Sequence, residues 1–185
     1  MDNKVLVTLE FTPNPNTLKF VVNQPLAPQG AANFPEASKA AHSPLARKIF
    51  EVPGVQAVLL GSNFVTITKS PAGNWDILAE QVPQTIQKHL QSGGLVFEAG
   101  WSFEKSGEPA SEIEKKIRRV LDEEIRPAVA MDGGDITFAK YEDGIVYLHL
   151  QGACSACPSS IATLKMGVES RLKDIIPEIK EVVQI

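Results

Sequence analysis

A stretch near the middle of this chain, rich in glycine, serine and proline, separates two regions whose apolar residues recur regularly. Such a shift in composition is typical of a linker between domains, and 185 residues suffice for two small domains that each bury a core. The sequence therefore predicts an N-terminal domain at 1–92, a linker at 93–110 and a C-terminal domain at 111–185. Trp101 and Phe103 are expected to lie in this solvated linker.

The N-terminal region alternates between patterns typical of strands and patterns typical of helices. Strands are indicated where apolar side chains recur at every second position, as in KVLVTLEF. Helices are indicated after Ser43-Pro44 and after Asn74, because serine and asparagine cap helices and proline suits the first turn. Pro83 should kink or restart the second helix. The predicted strands are 4–11, 17–22, 55–60 and 64–68, the predicted helices are 44–50 and 75–90, and residues 23–42 are expected to form a loop.

The C-terminal region combines helical segments with a hairpin. Ser111 and Glu114 have the spacing of a capping box ahead of an amphipathic pattern, and Pro127 should restart a short helix. Two β-rich runs around residues 142–144 are typical of a hairpin. The predicted helices are 111–125, 127–131 and 158–174, with two strands inside 135–152 and a last strand at 180–185. We therefore predict an α+β fold of two small domains, each a mixed or antiparallel sheet covered by helices.

Composition excludes several classes of function. The net charge of −4 is spread along the chain, whereas nucleic-acid binding needs a basic face. No apolar run approaches the roughly 20 residues that span a bilayer. The first residues alternate like a strand and match neither a secretory signal nor a transit peptide, so we expect a cytoplasmic protein, or one already processed, without nucleic-acid or membrane partners. Two cysteines in the whole chain exclude a disulfide framework.

Both cysteines, Cys154 and Cys157, belong to one C-x-x-C motif. The motif lies between a predicted strand ending near Leu150 and a predicted helix beginning at Pro158, so Cys157 is expected at or beside the helix N-cap. Unpaired backbone N–H groups and the helix dipole favour negative charge there, and thiol pKa values at such positions fall to about 3.5–7.5. The neighbouring residues are small, so the sulfurs are expected to be accessible and to supply a thiolate at neutral pH.

Three interpretations of the motif remain open from the residues alone. As metal ligands, two thiolates fall short of the four that zinc and cubane iron–sulfur sites take, and His149 lies on the preceding strand, so a second chain of a twofold dimer would supply the rest. As a redox pair, Cys154 would be the nucleophile and Cys157 its resolving partner, although such motifs favour a βαβ unit over a hairpin. As structural residues, the two thiols would be buried in a tight turn.

The segment that precedes the predicted hairpin, MDGGD, offers candidates of its own. Gly133 and Gly134 are expected to provide positive φ where a helix end meets a strand, with close approach to the C-x-x-C loop or to a partner subunit as a second role. Asp132 and Asp135 are expected in turn or cap roles. Met131 is expected to fill the core rather than to bind iron.

Three other features have structural interpretations. The segment TPNPNTLKF carries no nucleophile–base pair and no phosphate-binding loop, so it is expected to form a rigid turn and the start of a strand, with client recognition as the alternative. The charged residues of EKKIRRVLDEE are expected to form the solvated face of a helix. The histidines are scattered singly and are expected to be surface or packing residues; they are His42, His89 and His149.

Three segments together resemble the Nfu-type iron–sulfur proteins, relatives of the C-terminal domain of NifU. In the C-terminal region these are RPAVAMDGGDI (126–136) and GACSACPSS (152–160), and in the N-terminal region FTPNPNTLKF (11–20) resembles the opening of the Nfu N-terminal domain. The resemblance implies a protein that assembles or carries a [4Fe-4S] cluster bridged between the two subunits of a homodimer. It also implies that Cys154 and Cys157 are the cluster and metal ligands, that an upstream donor loads the cluster and that apo iron–sulfur proteins receive it.

These inferences combine into a hypothesis of a carrier rather than an enzyme, which releases its cluster by ligand exchange. The N-terminal domain shows no visible chemistry, and we expect it to dock clients. A thiol–disulfide oxidoreductase that uses the same two cysteines is the alternative hypothesis. A dimer held together by structural zinc is the third.

Overall fold

The computed structural model describes residues 4–102, 111–155 and 158–185. The chain divides into two compact units, Met1–Phe103 and Glu104–Ile185. Each unit has its own sheet and its own hydrophobic core.

A five-stranded antiparallel sheet forms the centre of the N-terminal unit, with strand order β1-β2-β5-β4-β3. Apolar residues at every second position of β2, β4 and β5 form one buried face, as the period-two pattern predicts. The strands β1 and β3 lie at the two edges. The strands are β1 Val7–Phe11, β2 Thr17–Val22, β3 Ala32–Phe34, β4 Val55–Leu60 and β5 Phe64–Lys69.

Two helices, α1 (Pro44–Phe50) and α2 (Trp75–Gln91), pack against that buried face. Both begin where the cap residues predict, since the Ser43 hydroxyl accepts from the Ala46 N–H at 3.2 Å and the Asn74 side chain caps α2. The helix α2 runs unbroken across Pro83, so the predicted restart does not occur. Buried leucine, valine and isoleucine side chains on both sides of the proline hold the helix on the sheet.

Two expectations for the N-terminal unit are wrong. The segment 23–42 contains β3 and a 3-10 turn, Ala37–Ala40; a three-residue strand is too short to show periodicity in the sequence. Trp101 is partly buried instead of solvated, because its ring stacks on Phe97 at 3.9 Å between centroids and both rings pack against the core. Phe103 lies outside the described residues.

A three-stranded sheet forms the centre of the C-terminal unit, with strand order β6-β7-β8. The strands β6 (Gly134–Glu142) and β7 (Ile145–Gly152) form the predicted hairpin, whereas β8 (Glu181–Gln184) lies parallel to β7. The helix α3 (Glu112–Val120) continues through a π-helical turn into α4 (Arg126–Met131), so Pro127 is accommodated without a new start. The last helix, α5 (Pro158–Ile175), follows the loop after β7.

The α+β fold of two units, one with an antiparallel sheet and one with a mixed sheet, is confirmed. Helices pack against the buried core of each unit. Within the described ranges, no helix is both long and apolar enough to cross a membrane.

Candidate functional site

Cys154 lies in a 3-10 turn directly after β7. Two hydrogen bonds hold this turn: the N–H of Ala153 donates to the carbonyl oxygen of Gly133 at 3.2 Å, and the Ser155 hydroxyl donates to the carbonyl oxygen of Gly152 at 2.8 Å. Gly152 has φ of +63°, a left-handed conformation that favours glycine. The turn therefore folds back onto the segment that precedes β6.

Gly134 makes the closest approach to the cysteine. A Cβ atom at this position would overlap with Sγ of Cys154 and would lie 3.0 Å from the carbonyl oxygen of Gln151. Gly133 beside it has φ of +78°. The expectation of positive φ is confirmed for Gly133 and wrong for Gly134, whereas the expected close approach to the cysteine loop is confirmed at Gly134.

An ion pair that sequence analysis missed fixes the start of β6. The guanidinium of Arg126 donates to both carboxylate oxygens of Asp135, at 2.9 and 3.1 Å, and also to Asp122 at 3.1 Å. Burial alone would lower the pKa of Arg126, but the hydrogen bonds and charges of these two aspartates outweigh it and raise the pKa. Asp135 is buried, so its expected turn or cap role is wrong: it anchors α4 to β6 beside Gly134.

The environment of Cys154 differs from the expected accessible thiolate. The side chain is buried, with 6% of its surface exposed. This burial, reinforced by the negative charges of Asp132 and Asp135, raises the pKa of the Cys154 thiol to about 11. Cys154 lies in the turn before α5 and against β6, so burial, and not the helix dipole expected to act on Cys157, sets the direction of its pKa shift.

Cys157 lies outside the described residues, so its expected place at the helix N-cap stays a prediction. Within the described ranges, no group of three or more His, Cys, Asp or Glu side chains is placed to hold a metal ion. The histidines have contacts elsewhere: His42 with Glu98, His89 with the carbonyl oxygen of Leu95, and His149 with that of Ile185.

Met131, at the end of α4, is 76% exposed, so the expectation that it fills the core is wrong. The buried residue of α4 is Val129, two positions earlier, and a helical turn carries the two side chains in different directions. An exposed apolar side chain therefore directly precedes the Asp132-Gly133-Gly134 segment.

The chemistry available at this site is that of a soft sulfur ligand held in a fixed place. At neutral pH the Cys154 thiol keeps its proton, and it would lose that proton when a metal ion binds. The carboxylates of Asp132 and Asp135, which oppose a lone thiolate, would favour a bound cation. A protonated, buried thiol is at the same time a weak nucleophile.

Comparison with known proteins assigns both units to described families. Residues 7–93 match the model of the scaffold protein Nfu/NifU N terminal, and residues 117–183 match the NifU-like domain. The human protein named NFU1 iron-sulfur cluster scaffold homolog, mitochondrial, is 41% identical over 183 residues, which cover 98% of this chain and 72% of the human one.

Other relatives are similar over the same span. NifU-like protein 4, mitochondrial, of Arabidopsis thaliana is 40% identical, and the alignment covers 97% of this chain and 66% of that one. The Drosophila grimshawi protein with the same name as the human one is 42% identical over 97% of this chain and 61% of its own length. This chain thus spans about two thirds of these relatives. A solution structure of a NifU-like protein from Saccharomyces cerevisiae covers 51% of this chain and 86% of its own, at 25% identity and a TM-score of 0.46.

The names of these relatives correct one prediction. All three are named as mitochondrial proteins, which contradicts the expected cytoplasmic location. That expectation was based on the strand-like pattern of the first residues and on the absence of a long apolar run, and neither feature tells which compartment holds this chain.

Proposed function

Because this chain belongs to the Nfu family, we propose that it is an iron–sulfur cluster scaffold and carrier. In this proposal a labile [4Fe-4S] cluster is bound between two copies of the chain through Cys154 and Cys157 and is passed to apo-proteins. The observation that carries the proposal is the position of Cys154, clamped against Gly134 on the loop that bears the C-x-x-C motif.

The number of cysteines supports a dimer. A cubane cluster takes about four thiolate ligands, and the whole chain has two cysteines. A twofold axis through the cluster would bring two C-x-x-C loops together, each contributing two ligands. The exposed side chain of Met131, next to the segment that holds Cys154, would lie near such an interface.

Transfer in this proposal is ligand exchange without catalysis. Each bond from iron to the sulfur of Cys154 or Cys157 breaks as a client thiolate replaces it, the client thiol gives up a proton, and the freed thiolate takes one up. The surroundings that raise the pKa of Cys154 to about 11 drive that last protonation at neutral pH. A freed Cys154 would therefore compete weakly for the iron, which favours release to the client.

Two parts of the hypothesis concern the rest of the chain. An upstream donor would load the cluster, and the N-terminal domain, proposed at 1–92 and joined through 93–110 to the cluster domain at 111–185, would dock clients. The contacts of Trp101 with the N-terminal core argue that any truncated N-terminal unit should keep residues to 102.

The competing hypothesis of a thiol–disulfide oxidoreductase needs Cys154 to attack as a thiolate. Its burial and raised pKa weigh against this role. The hypothesis of a zinc-stapled dimer uses the same ligands as the carrier and differs from it only in the metal, so analysis of the bound metal separates the two.

The test is the content of iron, acid-labile sulfide and zinc per chain, on protein purified and reconstituted without oxygen, with the molar mass measured by light scattering. One cubane shared by two chains requires about two irons and two sulfides per chain, and a dimer that reverts when the cluster is removed. The Cys154→Ser variant is the matched control and should bind neither iron nor sulfide. About half a zinc per chain without sulfide would instead identify a dimer held together by structural zinc.

A further inference from the structure

An apolar groove runs between the edge strand β1 and the start of α2 in the N-terminal unit. Its volume is about 350 Å³. We call it the β1–α2 groove; its lining includes Leu9 and Phe11 from β1, Pro15 and Leu18, and Trp75, Asp76 and Ala79 from α2. Its lining residues belong to the N-terminal unit, whereas the cysteine loop belongs to the C-terminal unit, and the proposed cluster chemistry does not use the groove.

The edge of β1 beside this groove offers unpaired backbone groups. The N–H of Asn23 donates to the carbonyl oxygen of Leu6, so the backbone of Leu6 faces β2. By the alternation of an antiparallel ladder, the N–H and C=O groups of Val7, Leu9 and Phe11 face away from β2. No other strand pairs with β1 among the described residues, so these groups can accept an added strand.

The walls of the groove are already in place. Thr12 and Thr17 both donate to the carbonyl oxygen of Asn14, which is buried, so the segment TPNPNT forms the hydrogen-bonded turn that the sequence predicts. The indole N–H of Trp75 donates to the carbonyl oxygen of Pro15 at 3.1 Å, which fixes the aromatic wall. A preformed site loses little conformational entropy when a partner binds.

Two observations define the partner. Phe11 is 86% exposed, a large apolar surface that an added chain would cover. Asp76 lines the groove and forms no ion pair with any described residue, and Glu80 follows it one helical turn later. Asp76 therefore places a negative charge beside the apolar lining residues, which complements a basic side chain next to apolar ones.

We propose that the β1–α2 groove binds an extended polypeptide segment that adds as a strand to the open edge of β1. Its apolar side chains, at alternate positions, lie on Phe11, Leu9 and Trp75, and a lysine or arginine faces Asp76. In this mode of recognition, main-chain hydrogen bonds provide affinity and the groove selects the side chains. This surface needs no bound cluster, so the inference stands or falls independently of the proposed carrier function.

The first test pans a random twelve-residue peptide library, displayed on phage, against the full chain. We expect the enriched peptides to alternate apolar residues and to carry a lysine or arginine. Their synthetic forms, measured by fluorescence anisotropy, should bind the Phe11→Ser variant about tenfold more weakly and the Asp76→Asn variant about threefold more weakly. Ile77→Ser, an exposed apolar position of α2 outside the groove lining, is the matched control and should not change the affinity.

The second test separates strand addition from simple apolar contact. N-methylation of every second amide removes the donors along one edge of a bound strand. One set of methylated amides should abolish binding and the alternate set should leave it unchanged.

The proposal is overturned if panning enriches nothing on the wild type relative to Phe11→Ser, or if both methylated peptides bind alike. It is also overturned if a second copy of the chain occupies the groove. Sedimentation would then detect a dimer of the cluster-free protein. Phe11→Ser would dissociate that dimer, and no peptide would displace the second copy. Because Phe11 is exposed, unfolding curves should confirm that its variant keeps its fold.

Discussion

The two units are built alike, as small sheets covered by helices, but the segments that resemble family motifs differ in their exposure to solvent. In the N-terminal unit, the turn after β1 leaves Phe11 exposed beside an open strand edge. In the C-terminal unit, the segment before β6 folds against the loop after β7 and buries Cys154. An open edge suits recognition of another chain, whereas a clamped thiol suits a bond to one metal atom.

This contrast predicts different responses to substitution. Around Cys154, backbone and side chains are in contact from several directions, so small changes have to displace neighbours. Around the β1–α2 groove, side chains face solvent, and changes there should appear only when a partner binds.

Arg126→Ala should have the largest effect on stability. Removal of the guanidinium leaves the buried carboxylate of Asp135 without its partner, and loss of one member of a buried ion pair costs about 3–5 kcal/mol. Arg171→Ala is the matched control, because Arg171 pairs with Glu124 on the surface, where solvent weakens an ion pair, so this substitution should change the stability much less.

Hydrogen exchange with mass spectrometry resolves the two units in this experiment. Both tryptophans, Trp75 and Trp101, belong to the N-terminal unit, so tryptophan fluorescence reports the unfolding of that unit alone. Faster exchange in the C-terminal unit with an unchanged fluorescence transition is the expected result. Equal effects of the two arginine substitutions would contradict a special role for the pair with Asp135.

The thiol of Cys154 should react slowly until the pH is high. With its pKa raised from 9.0 to about 11, the thiolate fraction at pH 8 falls about 100-fold relative to an ordinary thiol. Alkylation by iodoacetamide in a Cys157→Ser variant would measure this, with the denatured protein as the reference. A rate at pH 8 equal to that of the denatured protein would show that Cys154 is not buried in solution.

The same shift has a consequence for stability. The folded state holds the thiol proton at pH values where the unfolded state has lost it, so this contribution is fully present below about pH 9 and is lost as the pH rises towards about 11. Unfolding curves of Cys157→Ser across this range, compared with those of a variant in which both cysteines are serine, isolate the contribution of Cys154.

Gly134→Ala should impair the cluster site more than the fold. The added methyl group overlaps with Sγ of Cys154, and such overpacking costs about 1–3 kcal/mol. Gly167→Ala in α5 is the matched control, because a Cβ atom there meets nothing within 4 Å and alanine favours a helix by about 1 kcal/mol. We expect the content of iron and sulfide after reconstitution to fall for Gly134→Ala and to stay unchanged for Gly167→Ala. Equal iron content in both variants would contradict the proposal that contact with Gly134 positions Cys154 for cluster binding.

Much of the fold could be predicted because its helices and strands each bury one face, and that periodicity is local in sequence. The positions of α1 and the β6–β7 hairpin follow from a cap residue and a turn signal. The parallel pairing of β8 with β7 could not be predicted, since it depends on where α5 returns the chain. The three residues of β3 are likewise paired only through a distant partner.

The candidate site could likewise be predicted only in part. Gly133 and Gly134 could be singled out from their residue type, and the resemblance to a family pointed to Cys154 and Cys157. The ion pair of Arg126 and Asp135 could not be predicted, because its members belong to different elements. Ion pairs between residues on different elements have no characteristic spacing in the sequence. Burial of Cys154 agrees with the interpretation of the two cysteines as structural residues, and the expectation of an accessible sulfur was wrong. Local sequence shows that the neighbours of Cys154 are small, but not that the turn folds onto β6.

Trp101→Ala is the smallest of these effects, and it tests where the N-terminal unit ends. Loss of the stack on Phe97 and of the contact with the core should destabilise this unit by about 1–2 kcal/mol, measured by the fluorescence of the remaining Trp75. Leu95→Ala, in the same segment but 60% exposed, is the matched control and should stay within about 0.5 kcal/mol of the wild type. If Trp101→Ala also left the stability unchanged, residues 93–102 would act as a linker. The N-terminal unit would then end before residue 93.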